Sequence, residues 1–200
     1  MVGLRLSGAD RARIHEALRD AQARTHARLA LMILPVSDRY AMYPIAWAGV
    51  FALVTSGLLA LSWQGIGLWA GFFIEAAIFG IVAFWLDVLP FRLMFVPNRL
   101  KRERARSMAH REFGAAILSA QDHNGGVLLF ASLGERYVEI IADRIVHAEV
   151  GQDAWDKIVR EFSARAKQGP VAEAFVWAIG ACADKLGAHF PKPDPTEAHA

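Results

Sequence analysis

The chain has 200 residues, a net charge of +2, 54% hydrophobic residues, a mean hydropathy of +0.26 and one cysteine. That hydrophobic share is high for a water-soluble chain of this length, so the apolar excess must be concentrated in part of the sequence. Near-balanced charge argues against a general attraction to nucleic acid, and a lone cysteine excludes an intrachain disulfide; Cys182, in an apolar helix-like stretch, reads as a small buried hydrophobe.

The opening Met1-Val2-Gly3-Leu4-Arg5 lacks the apolar core and small-residue cleavage site of a secretory signal, so residues 1 to 40 are expected to begin in the cytosol. Ser7-Gly8-Ala9-Asp10 is a capping-box pattern, and Ile14, Leu18 and Ala21 follow at helical spacing, which predicts a helix from about 8 to 25. Leu29 to Leu34 is a short apolar run bounded by Pro35 and Ser37, the pattern of a buried central strand.

Between Arg39 and Asp87 the only charged side chain is Glu75. Ile45 to Trp63 and Ile66 to Leu86 are each close to the ~20 apolar residues that cross ~30 Å of hydrocarbon as helix. Gln64-Gly65 is a polar turn between them and Pro44 suits a first helical turn, so two antiparallel crossings are expected, with Tyr43, Trp47, Trp63, Trp69 and Trp85 mostly near the interfaces. The alternative is a pair of wholly buried helices in a soluble protein. Arg24, Arg28 and Arg39 precede the hairpin, and Arg92, Arg99, Lys101, Arg102, Arg104 and Arg106 follow it, whereas the turn has no cation. The positive-inside bias then predicts two spans in the cell (inner) membrane with both termini cytoplasmic. The same basic run has no interleaved aromatics for base stacking, so no nucleic acid is expected, and lipid headgroups are the simpler partner.

An ionised carboxylate at mid-bilayer depth costs several kcal/mol unless partnered. In an antiparallel hairpin Glu75 falls level with Val54, beside the hydroxyls of Thr55 and Ser56, and Gly67 and Gly71 form a small-residue strip on its own helix. Glu75, Thr55 and Ser56 are therefore the candidate intramembrane polar contact. It would serve as glue between helices or protomers, including a homo-oligomer through the hairpin, or as part of a proton or ion path.

After the hairpin, residues 99 to 120 read as a helix, basic first and then apolar on one side through Phe113, Ala116, Ile117 and Ala120. Asp122-His123-Asn124-Gly125-Gly126 stops it. Val127 to Ser132, a turn at Leu133-Gly134-Glu135, and Arg136 to Ala142 form a predicted β-hairpin. Two amphipathic helices close the chain: about 153 to 166, with Trp155, Ile158, Val159 and Phe162 inward, and one opening at Pro170, with Phe175, Ile179, Cys182 and Leu186. A disordered tail is expected over 191–200.

Six stretches carry a family resemblance: Leu6-Ser7-Gly8-Ala9-Asp10 opening a helix, a strand ending at Val36-Ser37, Asn124-Gly125-Gly126-Val127-Leu128-Leu129, Glu135-Arg136-Tyr137-Val138-Glu139-Ile140, Trp155 in the following helix, and Lys167-Gln168-Gly169 before the last. In this order they resemble the TPM domain family, named for a thylakoid lumen protein, a photosystem II repair protein and a modulator of receptor levels. The resemblance implies an α/β fold, a small three-layer sandwich with a central sheet of three to four strands flanked by helices. Here it would be split by the hairpin: residues 1–43 and 89–190 as the halves, 44–88 as the membrane insert. Asp143-Arg144-Ile145-Val146-His147 stands where a glycine-rich stretch is usual.

The strand after the hairpin should return parallel to the first through a right-handed crossover. Glu135 would then face the bilayer, while Asp122, His123, Asp143, His147 and Asp153 gather at the opposite, cytosol-facing end. Asp122, Asp143 and Asp153 are the candidate ligands for a divalent cation, calcium or magnesium, with backbone capping as their alternative role. No nucleophile elbow, phosphate-cradling loop or zinc-spaced set of residues occurs. The resemblance implies first a non-enzymatic interaction module that assists assembly, turnover or quality control of membrane complexes, with the bilayer and other membrane proteins as partners. The alternative it implies is a metal-dependent acid-phosphatase-like hydrolase at the membrane surface.

Overall fold

The computed structural model describes residues 6–38, 40, 42–62, 67–87, 96–118 and 125–192. Among these the chain is mixed α/β and mostly helical, with seven helices and a three-stranded sheet. In chain order they are α1 (Gly8–Ala23), β1 (Arg28–Leu34), α2 (Met42–Ser62), α3 (Leu68–Asp87), α4 (Asn98–Phe113), β2 (Gly126–Ser132), β3 (Tyr137–Ala142), α5 (Arg144–Val150), α6 (Gln152–Gln168) and α7 (Val171–His189). They divide into two units, Met1–Ser37 with Arg104–Ala200, and Asp38–Glu103. In this division the second boundary falls inside α4.

Local chemistry explains the element ends. The Ser7 hydroxyl accepts from the Asp10 N–H at 3.1 Å while the Asp10 carboxylate accepts from the Ser7 N–H at 3.0 Å, so two orphan donors at the start of α1 are satisfied reciprocally. Thr25, expected inside that helix, instead bridges Pro191 and donates its hydroxyl to the Phe190 carbonyl at 2.6 Å. Pro191, expected to open a disordered tail, is therefore tied to the fold, and residues 193–200 lie outside the described residues. Helix α4 gives way at Gly114 to a π-helical turn, Gly114–Leu118, where glycine's weak helix preference permits the change of pitch. Arg136, expected as a strand residue, closes the hairpin turn with a left-handed backbone at φ 51°.

The sheet order is β1-β2-β3, with β1 parallel to β2 and β2 antiparallel to β3. Segments on either side of the interruption therefore complete one sheet. The expectation of β1 as the central strand is corrected: β2 holds the middle and all seven of its residues are buried, whereas β1 is an edge among the described strands with Leu29 alone fully buried. Both strands are continuous apolar runs, and such a run signals two covered faces without saying which neighbour lies alongside.

Alternate residues of β2 enter different cores, as strand geometry demands. Val127, Leu129 and Ala131 pack with α1, α5, α6 and α7, where Trp155, Phe175, Cys182 and Leu186 are completely buried. Leu128 and Phe130 pack with Ala105, Ala109 and Phe113 of α4 and with Ile117. Every inward residue expected in α7 is buried, as are Trp155, Ile158 and Phe162 in α6. Ala120 lies outside the described residues.

In the unit Asp38–Glu103, α2 and α3 pack on each other. Among the described residues the buried positions of α2 are one turn apart, Pro44, Ala48 and Ala52. Large apolar side chains point outward: Leu53 is 72% exposed, Leu61 84%, Trp69 74% and Phe84 75%. Among the described residues one helical stretch, Trp69–Leu86, is long and apolar enough to cross a membrane, and none of it is buried; Met42–Leu58 is a shorter apolar stretch. The expected turn at Gln64-Gly65 lies outside the described residues.

Candidate functional site

Two ends of the sheet and one helical surface hold the polar groups of interest. At the Arg28, Gly126, Ala142 end, Asp143 ties three elements together. Its Oδ2 accepts from the Gly126 N–H at 2.9 Å and its Oδ1 from the Val146 N–H at 2.8 Å, making it the N-cap of α5 and the clasp between the β2 start and the β3 end. Gly125 is required beside it: φ is +87°, and a Cβ would lie 2.8 Å from the Val146 Cγ2. Helix α5 itself was not expected from the sequence. The signal was present in Asp143 as a cap and Gly151 as a stop, with φ 77°.

Of the other candidate cation ligands, Asp153 is an exposed first-turn residue of α6, and Asp122, with His123, lies outside the described residues. His147 is exposed on α5. Among the described residues no group of three His, Cys, Asp or Glu side chains converges as a metal cage. Both Asp143 oxygens already serve backbone donors, which is capping chemistry.

The opposite end of the sheet, from which the chain leaves β1, holds a feature that sequence reasoning passed over. Glu135, only 8% exposed, accepts from the Ser37 N–H at 2.8 Å and from the Ser132 hydroxyl. Leu133 and Gly134 donate backbone N–H groups to the Leu34 and Pro35 carbonyls at 2.9 and 2.8 Å. The turn thus latches the outgoing chain to the sheet, and a buried carboxylate is the pin. Ser132, three residues before Glu135, was the one local signal; Ser37 meets the carboxylate only through the parallel pairing of β1 with β2.

On α4, Arg106 and His110 stand 3.9 and 4.0 Å from Glu139, which accepts from the Tyr137 hydroxyl at 2.8 Å. In the apolar unit Glu75 is half-buried on α3. Thr55 donates its hydroxyl to the Phe51 carbonyl of its own helix at 2.8 Å, and among the described residues neither Thr55 nor Ser56 is bonded to Glu75. A Cβ at Gly67 would touch nothing within 4 Å. Cys182, fully buried, has its thiol pushed up to about 12 by desolvation, which makes it a neutral packing group rather than a nucleophile.

No family model matches the chain, and no curated protein matches it. Among solved structures the chain is similar to the NMR structure of the BA42 protein from the psychrophilic bacterium Bizionia argentinensis, with a TM-score of 0.54 and 14% identity over 94% of this chain and 86% of that one. At such identity the likeness is one of fold.

Proposed function

We infer that the protein is a membrane-anchored, cytosol-facing interaction module with a TPM-like three-layer sandwich, and that it assists the assembly, turnover or quality control of membrane protein complexes. In this reading α2 and α3 cross the cell (inner) membrane as a hairpin. One observation carries it: the outward faces of those helices are bare apolar surface, with Leu61 84% and Phe84 75% exposed. In water such a surface drives aggregation, whereas in hydrocarbon it has nothing to lose.

Other features support the reading. Helices of 21 and 20 residues span roughly 30 Å at the α-helical rise, the thickness of a hydrocarbon core. Arginines and lysines flank the pair on both sides and are missing between them, as expected when both termini are cytoplasmic. Among the described residues Glu75 has no bonded partner on α2, which suits a contact with a second copy or another membrane protein. Helices over both sheet faces are what a three-layer sandwich requires.

Alkaline carbonate extraction should leave the protein with the membrane, tags at Met1 and Ala200 should both be reached from the cytosolic side, and photo-crosslinkers on β3 should capture membrane proteins. Partition of the intact chain into the aqueous phase without detergent would sink the reading.

A further inference from the structure

We propose that the basic surface of α4 binds the anionic phospholipid headgroups of the bilayer that holds α2 and α3. This rests on the membrane reading above and adds to it a lipid class and the residues that select it. Residues 99–106 carry five basic side chains, Arg99, Lys101, Arg102, Arg104 and Arg106, against one acidic, Glu103. Further along the helix Ala105 and Ala109 are 0% exposed against the sheet, while all four arginines are exposed.

The charges of Arg99, Arg102 and Arg106 are little neutralised among the described residues. The Arg99 Nε lies 3.1 Å from Glu103, an exposed pair of the kind that contributes little. Arg106 is 3.9 Å from Glu139, beyond hydrogen-bond distance, and Arg102 has no hydrogen bond or ion pair among the described residues. A second observation is continuity: Arg99, Lys101 and Arg102 belong to the same unit, Asp38–Glu103, as the bare apolar helices. Phosphate oxygens supply negative charge, and guanidinium groups donate N–H bonds to them in pairs. Nucleic acid fits less well, because residues 98–112 contain no Phe, Tyr or Trp on which a base could stack.

The test uses the full chain with Ser107→Cys, an exposed position on α4, carrying a fluorophore; Cys182 is fully buried and does not compete for the label. The protein is reconstituted in vesicles of phosphatidylcholine, with a nitroxide on some headgroups, and in the same vesicles with increasing phosphatidylglycerol. Quenching should rise with phosphatidylglycerol and collapse at high salt. Arg102→Gln should raise the fraction needed for half-maximal quenching about fivefold, the usual effect of one cation at an anionic surface. The combined Arg99→Gln, Lys101→Gln and Arg102→Gln variant should lose the response, with its helical content unchanged by circular dichroism.

Anchored protein quenched equally in both lipids, or a response that survives the triple variant, overturns the proposal. So does a label that answers to a short DNA duplex in phosphatidylcholine vesicles and not to phosphatidylglycerol. Co-flotation with pure phosphatidylcholine vesicles reports on α2 and α3 alone; failure there removes the membrane reading and this proposal with it, whereas flotation without a phosphatidylglycerol response removes only the latter.

Discussion

Phenylalanines in the two units have opposite fates. Phe130, Phe162 and Phe175 of the α/β unit are 0, 7 and 0% exposed, while Phe72, Phe73 and Phe84 of the helical unit are 60, 66 and 75% exposed. A buried aromatic ring gains free energy from leaving water, so the first unit is arranged as an aqueous domain is. The second unit forgoes that gain at most of its surface, although its two helices pack on each other. A mean hydropathy of +0.26 is therefore an average over two regimes, one with its aromatic rings buried and one with them exposed.

Substitutions can break this contrast or sharpen it, and the largest effect is expected in β2. Phe130→Ala empties a fully buried site in the core shared with α4 and should cost about 3–5 kcal/mol in denaturant unfolding. Phe84→Ala should shift the same transition by less than about 0.5 kcal/mol. Equal losses at the two positions would erase the distinction between the units.

The polar pins of the α/β unit come next. Glu135→Ala strips the Ser37 N–H and the Ser132 hydroxyl of their acceptor and should cost about 1–3 kcal/mol, with Glu135→Gln recovering much of it. Asp143→Ala removes the α5 cap and the Gly126 clasp together, with an expected loss of about 1–2 kcal/mol. That loss should be the same with and without calcium or magnesium. If the unmodified protein's midpoint climbs with added cation and the variant's does not, the carboxylate belongs to a metal instead.

Smaller effects are expected at the start of α1 and in α7. Ser7→Ala should cost about 1 kcal/mol. The Ser7 hydroxyl and backbone N–H hold the Asp10 carboxyl below its ordinary pKa, so its folded value lies under the unfolded one. The resulting stabilisation is fully present above the unfolded value and drains away as pH falls through the folded value. The stability difference between the parent and Asp10→Asn should accordingly be visible near neutrality and vanish in acid. Cys182 should resist a thiol reagent in the native protein and react once denatured; rapid native labelling would mean that the core around α7 opens.

Elements whose cause is local were readable in the sequence. The capping box at Ser7 and Asp10 set the start of α1, helical spacing identified the buried face of α7, and the stretches on either side of Gln64-Gly65, charged only at Glu75, marked apolar helices. Periodicity and caps act over one or two turns, within reach of neighbouring residues. Helix α5 was legible in principle from Asp143 and Gly151, but seven residues are too few for a periodic pattern to stand out.

Tertiary structure alone decided the rest. That β2 and not β1 is the middle strand depends on pairings between Arg28–Leu34 and Gly126–Ser132, almost a hundred positions apart, and apolar composition carries no address for such a partner. The same pairing brings Ser37 to Glu135 and turns an ordinary hairpin glutamate into a buried pin. Asp143, whose carboxylate suited a cation by sequence, meets two backbone N–H groups because the strand end and the helix start converge on it. A side chain's type determines what it is able to bind; which groups reach it first is settled by the fold.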